Sequence, residues 1–206
     1  MTRVPAHYKF DSYVTLERWN SYWYQITEVL RLKPKTVLII GCGDNCAGKI
    51  LAGYGLKIYT YDLDRKLKPD FAGNILHIDK KLGGRHFDVI LCCQVLEHLP
   101  YENFMDILPK LRNISKYIII SLPYSNFLGC AVSCKLPLLK TLRIGFGIPP
   151  GFLRKLRFNG EHYWEVGARG YSRVKIVKDL SKFFVIRRQY RALYNSYHLF
   201  FVCQRR

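Results

Sequence analysis

The sequence has few acidic residues and no long uncharged apolar segment. Only 15 of its 206 residues are Asp or Glu, against 33 Lys or Arg, so the formal net charge is +18 at pH 7. No run of about 18 uncharged apolar residues occurs, so a membrane-spanning helix is not expected. Residues 1–11 are polar and contain no apolar core of a signal peptide. These absences predict a cytoplasmic protein.

The cysteines do not form a pattern typical of disulfides or of zinc binding. There are seven, an odd number, and without an export signal an odd count favours reduced thiols. Cys130 and Cys134 are four residues apart, but no second pair of Cys or His lies near them in the sequence. The sequence therefore predicts no metal site.

The positive charge is concentrated in the second half of the chain. Residues 135–191 contain 14 Lys or Arg against three acids, a net charge of +11. Such a charge attracts polyanions, among them nucleic acid, anionic lipid headgroups and phosphorylated metabolites.

Short apolar runs alternate with segments of helical periodicity. Residues 37–40 are an uninterrupted apolar run ending at Gly41, which is typical of a parallel strand buried on both faces. Strands are predicted at residues 37–40, 56–61, 71–75, 87–93, 117–122, 183–190 and 197–204, helices at 16–32, 46–54, 101–112 and 172–182, and a polar loop at 79–86. This alternation predicts an α/β protein with a doubly wound, mostly parallel sheet and an antiparallel C-terminal hairpin.

A candidate cofactor site follows the first strand. Gly41 and Gly43 let the backbone turn sharply and let a ligand approach the main chain, and Asp62 ends the next strand, where it can accept both hydrogen bonds of a ribose diol. Dinucleotide enzymes require a third glycine that lets a helix N-terminus meet the pyrophosphate. Cys46 occupies that position, so the pattern favours a cofactor without phosphate, such as S-adenosylmethionine.

The fourth predicted strand carries the most specific motif. Residues 87–89 read F-D-V and residues 95–99 read V-L-E-H-L. Together with Gly41-x-Gly43, the Y-D-L-D of residues 61–64 and Gly73-Asn74, this segment resembles class I S-adenosylmethionine-dependent methyltransferases of the type 11 family. The resemblance covers roughly residues 35–123. It implies a Rossmann-like seven-stranded methyltransferase fold, methyltransferase activity and S-adenosyl-L-methionine as the cofactor.

The resemblance also implies a set of cofactor-binding residues, namely Gly41, Cys42, Gly43, Asp62, Leu63, Asn74, Ile75 and Gln94. The glycine turn would face the methionine and sugar, Asp62 would bind the ribose hydroxyls, and Leu63 would pack on the adenine. Asn74 replaces an Asp that contacts the adenine amino group, and its amide oxygen can accept the same bond. Gln94 would lie near the methionine moiety.

Two positions depart from the family pattern. Ile39 stands where members usually have Glu or Asp, which helps to position the methionine end. Asn45 replaces a common third glycine.

The chain is long enough for one domain with a sizeable core and too short for two. We divide it into an N-terminal helix or lid (residues 1–35), a cofactor-binding core (36–123), a basic insertion or lid (124–165), and a C-terminal helix with edge strands (166–206). In the N-terminal helix, either Tyr22 or Tyr24 is expected to help cover the cofactor cleft.

Candidate acceptor-binding residues end the insertion. Glu161, His162, Tyr163 and Trp164 form a polar and aromatic cluster within a basic region, and Tyr124 follows the fifth strand. Loops at the carboxyl edge of such a sheet build the substrate pocket. His162, and His98 in the V-L-E-H-L motif, are the candidate general bases, and a general base helps with a hydroxyl acceptor but matters less for a thiol or amine.

The methyl acceptor is not specified by these patterns. A small molecule with an anionic part is the preferred prediction. Three alternatives stay open: an RNA methyltransferase that stacks a base on Phe152, Phe158, Tyr163 or Trp164, a membrane-surface enzyme that acts on a lipid-linked acceptor through residues 127–156, and a non-catalytic S-adenosylmethionine-binding module.

Overall fold

The computed structural model describes residues 8, 13–125, 128–135, 141–148, 158 and 160–206. The strands are β1 (Thr36–Ile40), β2 (Lys57–Asp62), β3 (Phe71–Ala72), β4 (Phe87–Cys93), β5 (Ser115–Pro123), β6 (Leu128–Cys134), β7 (Leu142–Ile148), β8 (Phe184–Ala192) and β9 (Asn195–Arg205). The helices are α1 (Leu16–Arg31), α2 (Cys46–Gly53), α3 (Ile78–Leu82), α4 (Tyr101–Ile114) and α5 (Arg173–Ser181).

Seven of the strands form one twisted sheet in the order β3-β2-β1-β4-β5-β9-β8. Strands β1 to β5 pair in parallel, and β9 runs antiparallel to both β5 and β8. The prediction of a doubly wound, mostly parallel sheet with an antiparallel C-terminal hairpin is confirmed.

The central strands are buried on both faces, which explains their uninterrupted apolar runs. Along β1, Leu38 and Ile40 face one core while Val37 and Ile39 face the other. Strand β4 divides in the same way between the two cores. Because side chains alternate along a strand, a strand with a core on each side must be apolar at every position.

Helix α1 is fixed to the C-terminal strands by a buried carboxylate. The side chain of Glu28 is 1% exposed and is paired with Arg31 and with Arg188 of β8, and its Oε1 accepts a hydrogen bond from Tyr190 at 2.9 Å. The ring of Tyr24 packs on Tyr190 and Phe200. These contacts place α1 against the β8–β9 side of the sheet.

Two predictions between β2 and β4 were wrong in detail. The predicted strand at 71–75 is only the two-residue β3, because Asn74 caps a 3₁₀ helix (Ile75–His77) by accepting from Leu76 N. The predicted polar loop at 79–86 begins inside α3, whose Ile78 and Leu82 are buried one helical turn apart. Gly83, with φ of +57°, ends this helix.

The predicted insertion contains a two-stranded sheet that the sequence pattern did not reveal. Strands β6 and β7 pair antiparallel, with Val132 opposite Ile144, and both of these side chains are 55% exposed. A Cβ atom on Gly145 would lie 2.7 Å from Leu193 Cδ1, so β7 lies close against the β8–β9 turn. No helix within the described residues is long and apolar enough to cross a membrane.

Candidate functional site

The turn after β1 has left-handed backbone at three residues. The φ angles are +72° at Gly41, +51° at Gly43 and +54° at Asn45. At Gly41 a Cβ atom would also meet Val95 Cγ2 at 2.3 Å, so a side chain is excluded there by strain and by contact. Asn tolerates left-handed backbone better than most residues, which explains how Asn45 can replace a glycine.

The carboxylate of Asp62 is held directly beside this turn. Its Oδ2 accepts a hydrogen bond from Cys42 N at 2.8 Å, and its Oδ1 accepts from Asp64 N at 3.0 Å. Burial, together with the nearby Asp62 charge, raises the pKa of the Cys42 thiol to about 12, so this thiol stays neutral. The adjacent Leu63 is 72% exposed.

Tyrosines from the N-terminal segment cover the glycine turn. A Cβ atom on Gly43 would lie 3.4 Å from Tyr8 Cε1 and 3.7 Å from Tyr13 Oη, and the two rings meet edge to face. Tyr22 Oη donates to Asp44 Oδ2 at 2.9 Å. Of the two residues expected to cover the cleft, Tyr22 reaches the turn. Sequence reasoning missed Tyr8 and Tyr13, and their only signal was the aromatic richness of this region.

The other predicted cofactor residues lie at the carboxyl edge of the sheet. Asn74 is exposed, and its Oδ1 accepts a hydrogen bond from Leu76 N at 2.9 Å. The predicted contact with the adenine amino group would therefore be a second hydrogen bond to the same oxygen. Ile75 is buried in the core. Gln94 follows β4 with φ of +56°, and its Nε2 donates to Ser121 Oγ at 3.2 Å.

Ile39 is a core residue, 6% exposed. The acid closest to Ile39 in the following turn is Asp44. Its Oδ1 accepts a hydrogen bond from Cys46 N at 3.1 Å.

The two candidate bases are adjacent, although 63 residues separate them along the chain. The rings of His98 and His162 are 5.0 Å apart. His98 ends the 3₁₀ helix that follows β4 (Leu96–His98), and Tyr163 N donates to Glu97 O at 3.0 Å. The end of the insertion is thereby attached to the carboxyl end of β4, the edge that carries the glycine turn.

Each histidine ring faces an oxygen acceptor. His98 Nδ1 lies 2.9 Å from Glu161 O, and His162 Nδ1 lies 3.1 Å from Glu165 Oε1. Tyr197 Oη donates to the same Glu165 oxygen at 2.8 Å. The hydrogen bond with Glu165 raises the pKa of His162 despite its partial burial.

Glu97 is a wholly buried carboxyl group beside these rings. Neither of its carboxylate oxygens has a hydrogen-bond partner among the described residues. Burial raises the pKa of Glu97 to about 8. One potential ligand atom from each of Glu97, His98 and His162 lies within 4.8 Å of the other two.

The predicted acceptor-binding residues differ in accessibility. Glu161 and Tyr163 are exposed, and the Tyr163 ring stacks on Phe158 at 4.1 Å. Trp164 is fully buried and donates from Nε1 to Leu99 O at 3.0 Å. Tyr124 is 8% exposed, with the Arg191 guanidinium 3.8 Å from its ring centroid. Roles in acceptor binding stay predictions for all of them, and Phe152 lies outside the described residues.

Comparison with known proteins reveals likeness in structure alone. No protein-family model matches the chain, and no curated protein does. Among solved structures, the methyltransferase domain of bacterial CtHen1 superposes with a TM-score of 0.62 at 16% identity over 91% of this chain and 99% of that one. Magnesium protoporphyrin IX methyltransferase (ChlM) from Synechocystis PCC 6803, solved with bound SAM, gives 0.59 at 16% identity over 92% and 81%.

The N-methyltransferase NodS from Bradyrhizobium japonicum WM9, solved with S-adenosyl-L-homocysteine, gives a TM-score of 0.59 at 10% identity over 98% of this chain and 94% of that one. The sheet order and these likenesses identify the fold as that of class I methyltransferases. The predicted seven-stranded methyltransferase fold is therefore confirmed, whereas assignment to the type 11 family stays a prediction.

Proposed function

We propose that the chain is an S-adenosylmethionine-dependent methyltransferase. The observation that carries the proposal is the carboxylate of Asp62 bonded to the glycine turn through Cys42 N at 2.8 Å. This contact fixes a carboxylate suited to bind a ribose diol next to a turn whose left-handed backbone at residues 41 and 43 requires glycine. Each Asp62 oxygen has a second lone pair that can accept from a ribose hydroxyl.

The charges around the turn favour a sulfonium cofactor over a dinucleotide. Asp44, Asp62 and Asp64 lie in or beside the turn, although the chain as a whole is strongly basic. These carboxylates attract the cationic sulfonium and repel a pyrophosphate. Cys46 at the third glycine position agrees with this preference.

The acceptor would bind beyond Gln94, against the exposed faces of the segment at residues 160–163. Methyl transfer from a sulfonium is an in-line displacement, so the main tasks of the protein are to align the acceptor and to exclude water. With a hydroxyl acceptor, His162 or His98 would take the proton. We favour a small molecule with an anionic part, because basic residues dominate the second half of the chain.

A second candidate acceptor is RNA. Phe158 and Tyr163 stack on each other and are 52% and 39% exposed, and an exposed aromatic stack can hold a flipped base. Retention of RNA that weakens steeply with salt would favour this acceptor. A protein that binds the cofactor and methylates nothing in a cell extract would instead be a non-catalytic module.

Calorimetry with S-adenosylhomocysteine tests the proposal. The parent protein is expected to bind it, and Asp62→Ala is expected to weaken binding by about 1.5–3 kcal/mol, the contribution of hydrogen bonds to a charged group. Asp106→Ala, which removes the same charge from an exposed position on α4, is the matched control and should bind as the parent does. Binding of NADH but not of S-adenosylhomocysteine would contradict the proposal.

A further inference from the structure

The wholly buried Glu97 carboxyl has no hydrogen-bond partner in the described part of the chain. Burying such a group unpaired is costly, and proteins normally compensate with a partner or a bound cation. The side chains that approach it are His98 and His162, each with a potential ligand atom within 4.8 Å of the Glu97 carboxylate and of the other histidine. The three side chains thus form one cluster after β4.

The hydrogen bonds of the two rings leave the same nitrogen available on each. His98 Nδ1 faces the Glu161 carbonyl oxygen, and His162 Nδ1 faces the Glu165 carboxylate. In the neutral rings these contacts place the proton on Nδ1, so that Nε2 is the nitrogen with a lone pair for a ligand. Histidines that bind metals are typically oriented by such contacts to a carbonyl or a carboxylate. Tyr197, which donates to Glu165, extends this arrangement by one more group.

We propose that Glu97, His98 and His162 bind a divalent transition-metal cation. Two imidazoles and one carboxylate favour Mn²⁺, Fe²⁺, Co²⁺ or Zn²⁺ over Mg²⁺ or Ca²⁺, which prefer oxygen ligands alone. Three protein ligands also leave coordination positions for an acceptor. The sequence predicted no metal site because His162 lies far from the E-H pair along the chain.

The cation goes beyond the proposed function and gives the cluster a different chemical task. A bound cation takes up the lone pair of His162 Nε2, so this histidine is a ligand and not a base. A hydroxyl that coordinates the cation loses its proton more readily. The site lies at the carboxyl end of β4, at the same edge of the sheet as the glycine turn.

Electron paramagnetic resonance of Mn²⁺ added to EDTA-treated, full-length protein tests the proposal. Mn²⁺ is the probe because it binds thiolates weakly and the chain has seven cysteines. We expect a single saturable site. Glu97→Gln and His162→Gln should each weaken it by about tenfold or more, whereas His77→Gln, an exposed histidine outside the cluster, should leave the affinity unchanged.

The outcomes separate this proposal from the methyltransferase proposal. Glu97→Gln keeps the size and shape of the buried side chain and is expected to fold as the parent does, so its loss of Mn²⁺ would not be explained by unfolding. S-adenosylhomocysteine binding by these variants should not change. The metal proposal is overturned by parent protein that takes up no Mn²⁺, or by cluster variants that bind it as the parent does. Mn²⁺ binding without S-adenosylhomocysteine binding would overturn only the proposed function.

Discussion

Gly41 is the residue at which backbone conformation and packing most strictly exclude a side chain. Its φ is +72°, and an added Cβ would meet Val95 Cγ2 at 2.3 Å. Gly55 has a similar φ of +83°, but no atom lies within 4 Å of an added Cβ. An alanine would therefore strain the backbone at both positions, but only at residue 41 would its Cβ also clash with a neighbouring side chain.

Gly41→Ala is expected to lower the free energy of unfolding by about 1–3 kcal/mol more than Gly55→Ala, because overpacking adds to strain at residue 41. Urea denaturation of both variants measures the difference. Adding Val95→Ala to Gly41→Ala should recover part of the loss. Equal destabilisation by the two alanines would mean that Val95 does not limit the turn.

At the scale of single residues, the sequence indicated which residues belong to the candidate site better than it indicated what they contact in the fold. Asp62 and the glycines are recognisable because a turn after a buried strand requires a particular chemistry at a particular spacing. Trp164, in contrast, was predicted only as a member of the acceptor-binding cluster, and the sequence did not indicate that it is wholly buried and that its indole donates to Leu99 O. The pairing of His98 with His162 depends on how the chain returns to β4, which local sequence does not determine.

Helix α1 contacts both the glycine turn and the C-terminal strands through two tyrosine hydroxyls. Tyr22 Oη donates to Asp44 Oδ2 at 2.9 Å, and Tyr24 Oη accepts from Leu193 N at 3.2 Å. Removing each hydroxyl separates the effect of α1 on the cofactor turn from its effect on the fold.

Tyr22→Phe is expected to weaken S-adenosylhomocysteine binding about three- to tenfold, since it releases Asp44 from a hydrogen bond that orders the turn. Tyr24→Phe is the matched control, with a comparable chemical change at the β8–β9 turn, and should leave that affinity unchanged. Isothermal titration calorimetry measures both. If the two variants bind alike, α1 does not order the turn through Tyr22.

At the scale of elements, strands buried on both faces were the easiest to predict because they have no polar positions to interrupt the pattern. Helix α3 was missed because its five residues are too few to establish a helical period. The β6–β7 pair was missed because glycines and exposed apolar side chains, such as Val132 and Ile144, hide the alternation expected of strands.

The molecule as a whole carries excess positive charge, and acid adds more. His198 of β9 is 9% exposed, and burial lowers its pKa to about 3. In the unfolded chain this histidine takes up a proton near its ordinary pKa of about 6.5. The unfolded state therefore binds more protons than the folded state as the pH falls below that value, and stability is lost.

The contribution of His198 to the free energy of unfolding is expected to be constant above about pH 7 and to fall by about 2 kcal/mol towards pH 5. Guanidinium denaturation across this range measures the slope. His198→Gln should lack this fall even if it lowers stability overall, so the difference in unfolding free energy between parent and variant separates the His198 contribution from groups that titrate in both proteins. A profile that falls equally steeply in this variant would assign the acid sensitivity to other groups.

The edges of the main sheet have a further consequence, for the colloidal behaviour of the protein. At one edge β3 is only two residues long, and at the other β8 carries the exposed Arg187 at an irregular register. Short strands, bulges and charged side chains discourage edge-to-edge pairing between molecules. A polyanion that neutralises Arg187 would remove part of that protection, so we expect polyanions attracted by the basic half of the chain to promote aggregation.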